Sequence, residues 1–263
     1  MSRHDCKPTL TDTQVLEFCR DGFLMFEGVV PDEVNQRVFD YCDKNDGRVP
    51  AGEDWYIENV TLNPQAAGAI RSLLGKNFRW SGAGNHRVQC PVEEVHQQSN
   101  GLWHNDGGSV YTPELDCLQV FYYPQDTPVE LGPTEVVPSS HFLRSYHFWM
   151  GHYGRIRNAV STAAPAGSIF LTIYRIWHRR SPSTATGVRN LIKYSYIRTV
   201  PPERDWIIEP EFDLAHSYHA PAGPQFHREF HRTINDAAEI YFWLCGKHDQ
   251  YRGTRNNLPI YYS

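Results

Sequence analysis

The spacing of apolar residues changes at about residue 78, and that change limits the folds this chain can adopt. Before residue 78, apolar residues recur with the period of an amphipathic helix. After it, short apolar runs stand between turns rich in Gly, Pro and Asn. These runs predict short strands, at 85–90, 116–123, 134–137, 168–174 and 188–199. Helices followed by many short strands indicate a mainly β protein with helical additions. We expect a double-stranded β-helix (jelly roll) core with N-terminal helices packed on one sheet.

The first predicted helix, at 11–21, has sequence signals at both ends. Thr11 is suited to be its N-cap, and Gln14 three residues later completes the pattern of a capping box. Gly22 is suited to end the helix in the left-handed conformation. Phe23 then opens a short apolar run that predicts a buried strand.

The length indicates one domain. At 263 residues the chain can form a single unit, 1–263, with a large core. We expect a helical part at about 9–77, the jelly-roll core at about 78–200 and a C-terminal segment at about 201–263. That segment is rich in Pro, His and Tyr and contains one predicted helix, near 235–245. It is expected to wrap the barrel or to close its mouth.

Composition excludes several classes of partner. With 40% hydrophobic and 21% charged residues, the chain has the composition of a soluble globular protein. Its formal charge of −5 gives no basic surface for nucleic acid, and no apolar run is long enough to span a membrane. The six cysteines form no C-x-x-C pair and the N-terminus lacks a signal-peptide core, so we expect reduced thiols in the cytoplasm. Oligomeric state is left open.

Two histidines and one aspartate have the donor set of a metal site. His104 and Asp106 are two residues apart, so on a strand both side chains would point to the same face. His178 follows the strand-like run 168–174 and could close the site from a second strand. Two imidazoles and one carboxylate can occupy one face of a metal ion and leave its remaining positions open.

The metal-site hypothesis has a simpler alternative, an exposed loop, and one supporting feature, Arg189. Because the chain has 13 histidines, the His104 and Asp106 pair taken alone could also be an exposed loop. Arg189 lies soon after His178, however, and its planar fork can grip a carboxylate through two parallel hydrogen bonds. That suits a dicarboxylate that binds the metal at its other end. Lys193 shares the strand parity of Arg189 and either lines the same pocket or is exposed at a strand end.

Five segments, in order, carry the motifs of one enzyme family. The metal motif is Trp103-His104-Asn105-Asp106. The others are the opening helix and turn at 10–23, the strand and following turn at 118–123 and 132–141, His178 and Arg189. Over about residues 9–200, the chain resembles the phytanoyl-CoA dioxygenase-like family of Fe(II)- and 2-oxoglutarate-dependent oxygenases.

The resemblance implies a cofactor, a cosubstrate and a role for each site residue. It implies that His104, Asp106 and His178 hold Fe(II) as the catalytic metal centre and that Arg189 binds the C5 carboxylate of 2-oxoglutarate. Tyr122 lies on the strand similar to the family's cosubstrate-lining strand, so its ring could wall the pocket, and a position in the sandwich core is the alternative. The implied reaction uses O2, hydroxylates a C–H bond of a small organic metabolite, and releases succinate and CO2.

The chain departs from the family pattern at two turns. Pro138-Ser139-Ser140-His141 replaces the usual Pro-Gly-Ser-His, and Leu191 stands where members often have Ser, which removes one secondary contact to the cosubstrate. Because Asp106 is present, the halogenation carried out by relatives that lack this carboxylate is disfavoured.

Two other functions and several polar clusters have to be weighed. The chain could be a non-catalytic jelly-roll binding module, or a cupin-like metalloenzyme that does not use 2-oxoglutarate. Arg179 and Arg180 could meet an anionic substrate or form a charged rim. The pairs His227 with His231 and His216 with His219 are expected to be solvated. His141 and His147 are expected to serve turns or caps.

Overall fold

The helices stand mainly at the two ends of the chain. The computed structural model describes residues 6–92, 101–107, 111–143, 153–214 and 227–251, with side chains from 236 onward in the last range. The helices in these ranges are α1 (Asp12–Asp21), α2 (Asp32–Lys44), α3 (Asp54–Tyr56), α4 (Pro64–Leu74) and α5 (His227–Leu244). A π-helical turn at Ile57–Thr61 follows α3. None of these helices has the length and apolar character needed to cross a membrane.

Short strands fill the middle of the chain, as the sequence predicts. They are β1 (Phe23–Phe26), β2 (Arg79–Asn85), β3 (Val88–Val92), β4 (Cys117–Tyr123), β5 (Thr134–Val136), β6 (Val160–Ser161), β7 (Ser168–Ile173), β8 (His178–Arg180), β9 (Ser183–Arg189) and β10 (Ile192–Ile197). Among the described residues they form three antiparallel sheets, in the orders β1-β7-β4-β10-β2, β3-β9 and β6-β5-β8. The protein therefore combines helices with antiparallel sheets.

The predicted end signals of α1 are confirmed. Thr11 Oγ1 accepts from the backbone N–H of Gln14, and the Gln14 side chain accepts from the backbone N–H of Thr11, which completes the capping box. Gly22 ends the helix with a φ of 80°, a conformation that costs glycine little. Asn63 is the N-cap of α4, where its side chain accepts from the backbone N–H groups of Gln65 and Ala66.

Two predicted strands are each divided where the chain passes between sheets. The run 188–199 separates into β9 and β10, and the run 85–90 separates into β2 and β3. Asn85 lies at this crossing, where its side chain donates to Asn190 Oδ1 and accepts from the backbone N–H of Leu191. Side-chain hydrogen bonds thus replace the interrupted ladder, and the crossing carries both strand pairs from one sheet to another.

The five-stranded sheet has two different faces. Alternate residues of β4, β7 and β10 pack against the helices in the main core. Val120, Leu171 and Tyr194 are examples, one from each strand. The intervening residues form a second cluster, which contains Phe121, Tyr123, Phe170 and Leu191. The Tyr123 hydroxyl accepts from the backbone N–H of Thr134 in β5, so this second face looks towards the smaller sheets.

A buried carboxylate ties the first helix to the C-terminal segment. Asp12 is fully buried and accepts hydrogen bonds from the Arg204, Trp206 and Tyr241 side chains and from the backbone N–H of Glu209. Burial acts to raise the pKa of Asp12, but these hydrogen bonds outweigh it and hold the pKa at about 2. The described part of the C-terminal segment therefore packs against α1.

Removing this carboxylate should weaken the fold. We expect Asp12→Asn to lower the free energy of unfolding by about 3 kcal/mol, because one partner of a buried ion pair is lost. Asp21→Asn is the matched control, since Asp21 pairs with Arg20 at a half-exposed site and should cost less than about 1 kcal/mol. Urea unfolding of both variants measures the difference, and equal losses would contradict this role for Asp12.

The Asp12 carboxylate should also make the free energy of unfolding depend on pH. The folded pKa of Asp12 is about 2, below its ordinary value of 3.8, so its contribution is complete above about pH 4. That contribution is lost as the pH falls towards 2. In urea titrations between pH 5 and pH 2, the wild-type protein should therefore lose its advantage over Asp12→Asn. A constant difference across this range would contradict the assignment.

Candidate metal centre

A backbone bridge brings the two predicted histidine ligands together. His104 N–H donates to His178 O at 3.0 Å, and His178 N–H donates to His104 O at 2.9 Å. His178 is the first residue of β8, whereas His104 lies in this single bridge and Asp106 in a bend. His104 and Asp106 therefore do not lie on a regular strand, and the bridge to β8 aligns His104.

Both imidazoles present the same ring nitrogen to the site. His104 Nδ1 lies 2.7 Å from the Leu102 carbonyl, and His178 Nδ1 lies 3.0 Å from the Ile176 carbonyl. Because a carbonyl only accepts, Nδ1 is the protonated nitrogen in the neutral form of each ring, which leaves the lone pair on Nε2. Such a hydrogen bond fixes the tautomer and ring orientation of a metal-binding histidine.

Asp106 completes the donor set. One ligand atom each from His104, Asp106 and His178 lies within 4.8 Å of the others. His178 Nε2 is 3.5 Å from Asp106 Oδ2, and His104 Nε2 is 4.0 Å from Asp106 Oδ1. The structure thus brings together all three residues predicted to bind a metal, and two nitrogen donors with one carboxylate match the set that non-haem iron uses.

Two side chains missed by the metal motif hold Asp106. Lys193 Nζ lies 2.5 Å and Gln119 Nε2 lies 2.7 Å from Asp106 Oδ2. Burial acts to raise the pKa of Asp106, but His178, Lys193 and Gln119 outweigh it and lower the pKa to about 2. Asp106 is therefore ionised at neutral pH, which is the form that binds metal.

The environment keeps His178 neutral. Its burial, and then the proximity of His104, lower the pKa of His178 to about 3. A neutral imidazole is the ligating form, so His178 is ready to bind a metal at physiological pH without first losing a proton.

The three residues open into a cavity of about 200 Å³. Its wall is rich in cationic side chains, including Arg87, Arg179, Arg180, Arg189 and Lys193. Three of these have carboxylate partners: Arg87 pairs with Asp43 at 2.6 Å, Arg179 with Glu135 at 2.7 Å, and Lys193 with Asp106 at 2.5 Å. The cavity therefore suits an anionic ligand.

Arg189 is the deeply buried cation of this wall. It is 1% exposed at the end of β9, and one terminal nitrogen donates to Thr134 Oγ1 at 3.1 Å. Its Nε has no hydrogen-bond partner within the described residues. A buried guanidinium donor without an acceptor is costly, and a carboxylate entering the cavity would satisfy it.

Tyr122 occupies a different place from the one predicted. Its side chain is fully buried in the main core, where the hydroxyl donates to Asn35 Oδ1 at 2.7 Å. Phe121, the preceding residue of β4, lines the cavity instead. The prediction identified the correct strand but the wrong face, because successive side chains of a strand point in opposite directions.

Other residues at the cavity show what the motifs could and could not indicate. The sequence allowed a pocket position for Lys193, because it shares the strand parity of Arg189. The two residues nevertheless lie on separate strands, β9 and β10. Gln119 and His86 have no sequence signal, because the crossing and the strand pairing bring them to the site. His141 lies away from the cavity, where its Nε2 contacts the carbonyl of Cys19 in α1, in keeping with a capping role. The side chains of His147, His216, His219, His227 and His231 lie outside the described residues.

Comparisons with known proteins identify relatives by structure rather than by sequence. No family model matches the chain, and no curated protein matches it. Among solved structures, HygX from Streptomyces hygroscopicus with nickel and 2-oxoglutarate bound aligns with a TM-score of 0.58 at 15% identity, covering 75% of this chain and 90% of that one.

Two further structures extend the likeness. SnoK, a non-haem α-ketoglutarate-dependent carbocyclase from nogalamycin biosynthesis, has a TM-score of 0.52 at 19% identity, covering 73% of this chain and 87% of its own. The non-haem monooxygenase ThoJ in its nickel complex has a TM-score of 0.51 at 15% identity, covering 89% of this chain and 98% of its own. At these identities the likeness shows that the chain shares the fold of these structures.

Removing a ligand should abolish metal binding. We expect His104→Ala and Asp106→Ala to weaken Ni(II) binding at least roughly hundredfold, since losing even an outer partner of a ligand can cost about 10- to 100-fold. His86→Ala is the matched control, because His86 lines the same cavity outside the donor set and should keep one equivalent of metal. Calorimetric titration measures this, and full binding by either ligand variant would contradict the assignment.

The position of Tyr122 makes a separate prediction. Tyr122→Phe leaves the buried Asn35 Oδ1 without its donor and should lower the free energy of unfolding by about 1–3 kcal/mol. Its affinity for Ni(II) should equal that of the wild-type protein, because the ring does not line the cavity. Urea unfolding and Ni(II) titration test both halves, and weaker metal binding by a stable variant would contradict the core position.

Proposed function

We propose that this protein is a non-haem Fe(II)- and 2-oxoglutarate-dependent oxygenase with a jelly-roll core, related to the phytanoyl-CoA dioxygenase-like family. One observation carries the proposal: the ligand atoms of His104, Asp106 and His178 converge in a cavity that also contains the buried Arg189. Metal donors and a buried guanidinium in one small cavity suit a dicarboxylate that chelates the metal with one end.

The residues present fit the metal. His104 and His178 would ligate through Nε2, since each Nδ1 donates to a carbonyl. Asp106 would supply the carboxylate oxygen. Fe(II) with 2-oxoglutarate supplies O2 activation and oxidation of a C–H bond, with release of succinate and CO2. The protein contributes orientation, because the backbone bridge and the carbonyl contacts hold the ligands before metal arrives.

The residues also fit the cosubstrate. The unpartnered Nε of Arg189 and its remaining donors would bind the C5 carboxylate, with Thr134 Oγ1 fixing the guanidinium plane. Phe121 and Leu191 give this part of the cavity an apolar wall. An apolar wall strengthens the charged hydrogen bonds and limits the access of water. Leu191 stands where the family often has Ser, so Arg189 and Thr134 would hold this carboxylate without that hydroxyl.

Hydroxylation of a small organic metabolite is the reaction we propose. The structurally similar SnoN is described as an α-ketoglutarate-dependent epimerase and SnoK as a carbocyclase, so proteins of this fold catalyse several outcomes. HygX has been solved with hygromycin B bound, which supports a small-molecule substrate for this fold. Hydroxylation is the outcome that needs only the donor set and cosubstrate site described above.

Stepwise anaerobic loading tests the proposal. Fe(II) and then 2-oxoglutarate are added to the purified protein, and the visible charge-transfer band of the chelate is recorded. The band should appear in the wild-type protein and be absent from Asp106→Ala. A folded protein that binds metal without the band would favour a cupin-like metalloenzyme, and one that binds neither would favour a binding module.

Arg189 should control cosubstrate affinity. We expect Arg189→Leu to raise the Kd for 2-oxoglutarate at least roughly tenfold, because charge-assisted hydrogen bonds to the C5 carboxylate are lost. Metal binding should be retained, since Arg189 is outside the donor set. Arg157→Leu, at an exposed position, is the control for loss of one positive charge. An unchanged Kd in Arg189→Leu would remove 2-oxoglutarate from the assignment.

A further inference from the structure

The cavity has more positive charge than the proposed metal and cosubstrate need. A divalent metal and Arg189 bring three positive charges, while Asp106 and a 2-oxoglutarate dianion bring three negative ones. That set is neutral without any other residue. Arg87 and Arg179 are balanced by their own partners, Asp43 and Glu135. Even if Arg180 is left out of the count, the ammonium of Lys193 therefore adds one positive charge to a set that is already neutral.

Lys193 stands at the metal end of the cavity. Its Nζ lies 2.5 Å from Asp106 Oδ2 and 5.6 Å from the centre of the Phe121 ring. A fixed positive charge beside a metal ligand repels the metal, so a site for metal and 2-oxoglutarate alone would be better without it. Because burial of an unneeded charge is costly, the ammonium is expected to serve another ligand.

The exposure of the side chains shows which ligand Lys193 can reach. Arg189 is 1% exposed, whereas the side chains of Lys193, Asp106 and His104 are 20%, 24% and 29% exposed. Arg189 therefore marks the deep end of the cavity, and Lys193 lies towards its mouth with His104 and Asp106. A cosubstrate anchored by Arg189 occupies the deep end, so the mouth is where a primary substrate would enter.

The strand beside Lys193 leaves room for such a ligand. Gly84 of β2 is the cross-strand neighbour of Lys193, so the two residues share a face of the sheet. Among the described residues other than its chain neighbours, no atom lies within 4 Å of the position that a Cβ of Gly84 would occupy. Within the described part of the chain, the β2 strand beside Lys193 is thus open at Gly84.

We propose that Lys193 binds an anionic group of the primary substrate, a carboxylate or phosphate, and so places the adjoining carbon chain beside the metal. This inference rests on the proposed function and identifies its substrate class as a small organic anion. When metal takes Asp106, the contact between Lys193 and Asp106 weakens and the ammonium becomes available to that group. Lys193 is thus a specificity-determining residue.

Matched acid and amide probes test the inference on the full-length protein. The protein is loaded with Ni(II), which avoids turnover, and then with 2-oxoglutarate. Benzoate, benzamide and phenyl phosphate are titrated by calorimetry at constant ionic strength. At least one anion should bind roughly tenfold tighter than benzamide, because it gains a charge-assisted hydrogen bond. Preference for benzoate or for phenyl phosphate identifies the anionic group.

Variants assign the preference to the ammonium. Lys193→Met should remove the difference between acid and amide while metal binding is retained or tightened, which also shows that the variant is folded. Lys193→Arg should keep much of the preference. Lys247→Met, which removes a charge from an exposed position, should bind all probes as the wild-type protein does.

The outcomes separate this inference from the function on which it rests. If neither Ni(II) nor 2-oxoglutarate binds, both fail. If both bind but acid and amide bind equally to the wild-type protein, only the role of Lys193 fails. If Lys193→Met weakens 2-oxoglutarate binding tenfold and leaves probe binding unchanged, Lys193 serves the cosubstrate and the inference is overturned.

Discussion

The two-sidedness of the central strands is the constraint on which the rest of the structure depends. In β4, β7 and β10 one set of alternate side chains packs under the helices, and the other set faces the smaller sheets. Because the period of a strand is two, shifting one of these strands by a single residue would exchange the core with the cavity wall. The tight packing of the helical face therefore fixes which residues can reach the metal ligands.

The cavity concentrates charge that a protein interior does not normally tolerate. Asp106 is balanced by Lys193 and by a hydrogen bond from Gln119, and Arg179 is balanced by Glu135. Among the described residues, Arg189 donates to Thr134, lies 5.8 Å from the centre of the Tyr123 ring and keeps an unsatisfied nitrogen. Charged side chains with unsatisfied hydrogen-bonding groups destabilise the fold unless a ligand of opposite charge binds to them. The position of such groups in this cavity therefore indicates where a ligand would bind.

Sequence reasoning reached the donor set because metal chemistry restricts the choice of residues. Two histidines, one aspartate and a nearby arginine could be found by residue type and order, and the structure brings them to one cavity. His104 and Asp106 do not lie on a regular strand, yet their donor atoms converge with that of His178 because a single backbone bridge joins His104 to His178. Tyr122 was assigned to the pocket from its strand, and only the register showed that Phe121 faces the cavity.

Local signals alone determined the α1 capping box, the glycine that ends this helix, and the change from helices to short strands, because each depends on neighbours in sequence. The tertiary structure decided where the chain crosses between sheets at Asn85, and therefore that Gln119, His86 and Lys193 meet the metal ligands. It also decided that Asp12 is buried against Arg204 and Tyr241. These contacts join residues far apart in the chain, and their geometry follows from sheet pairing and packing, which no local pattern encodes.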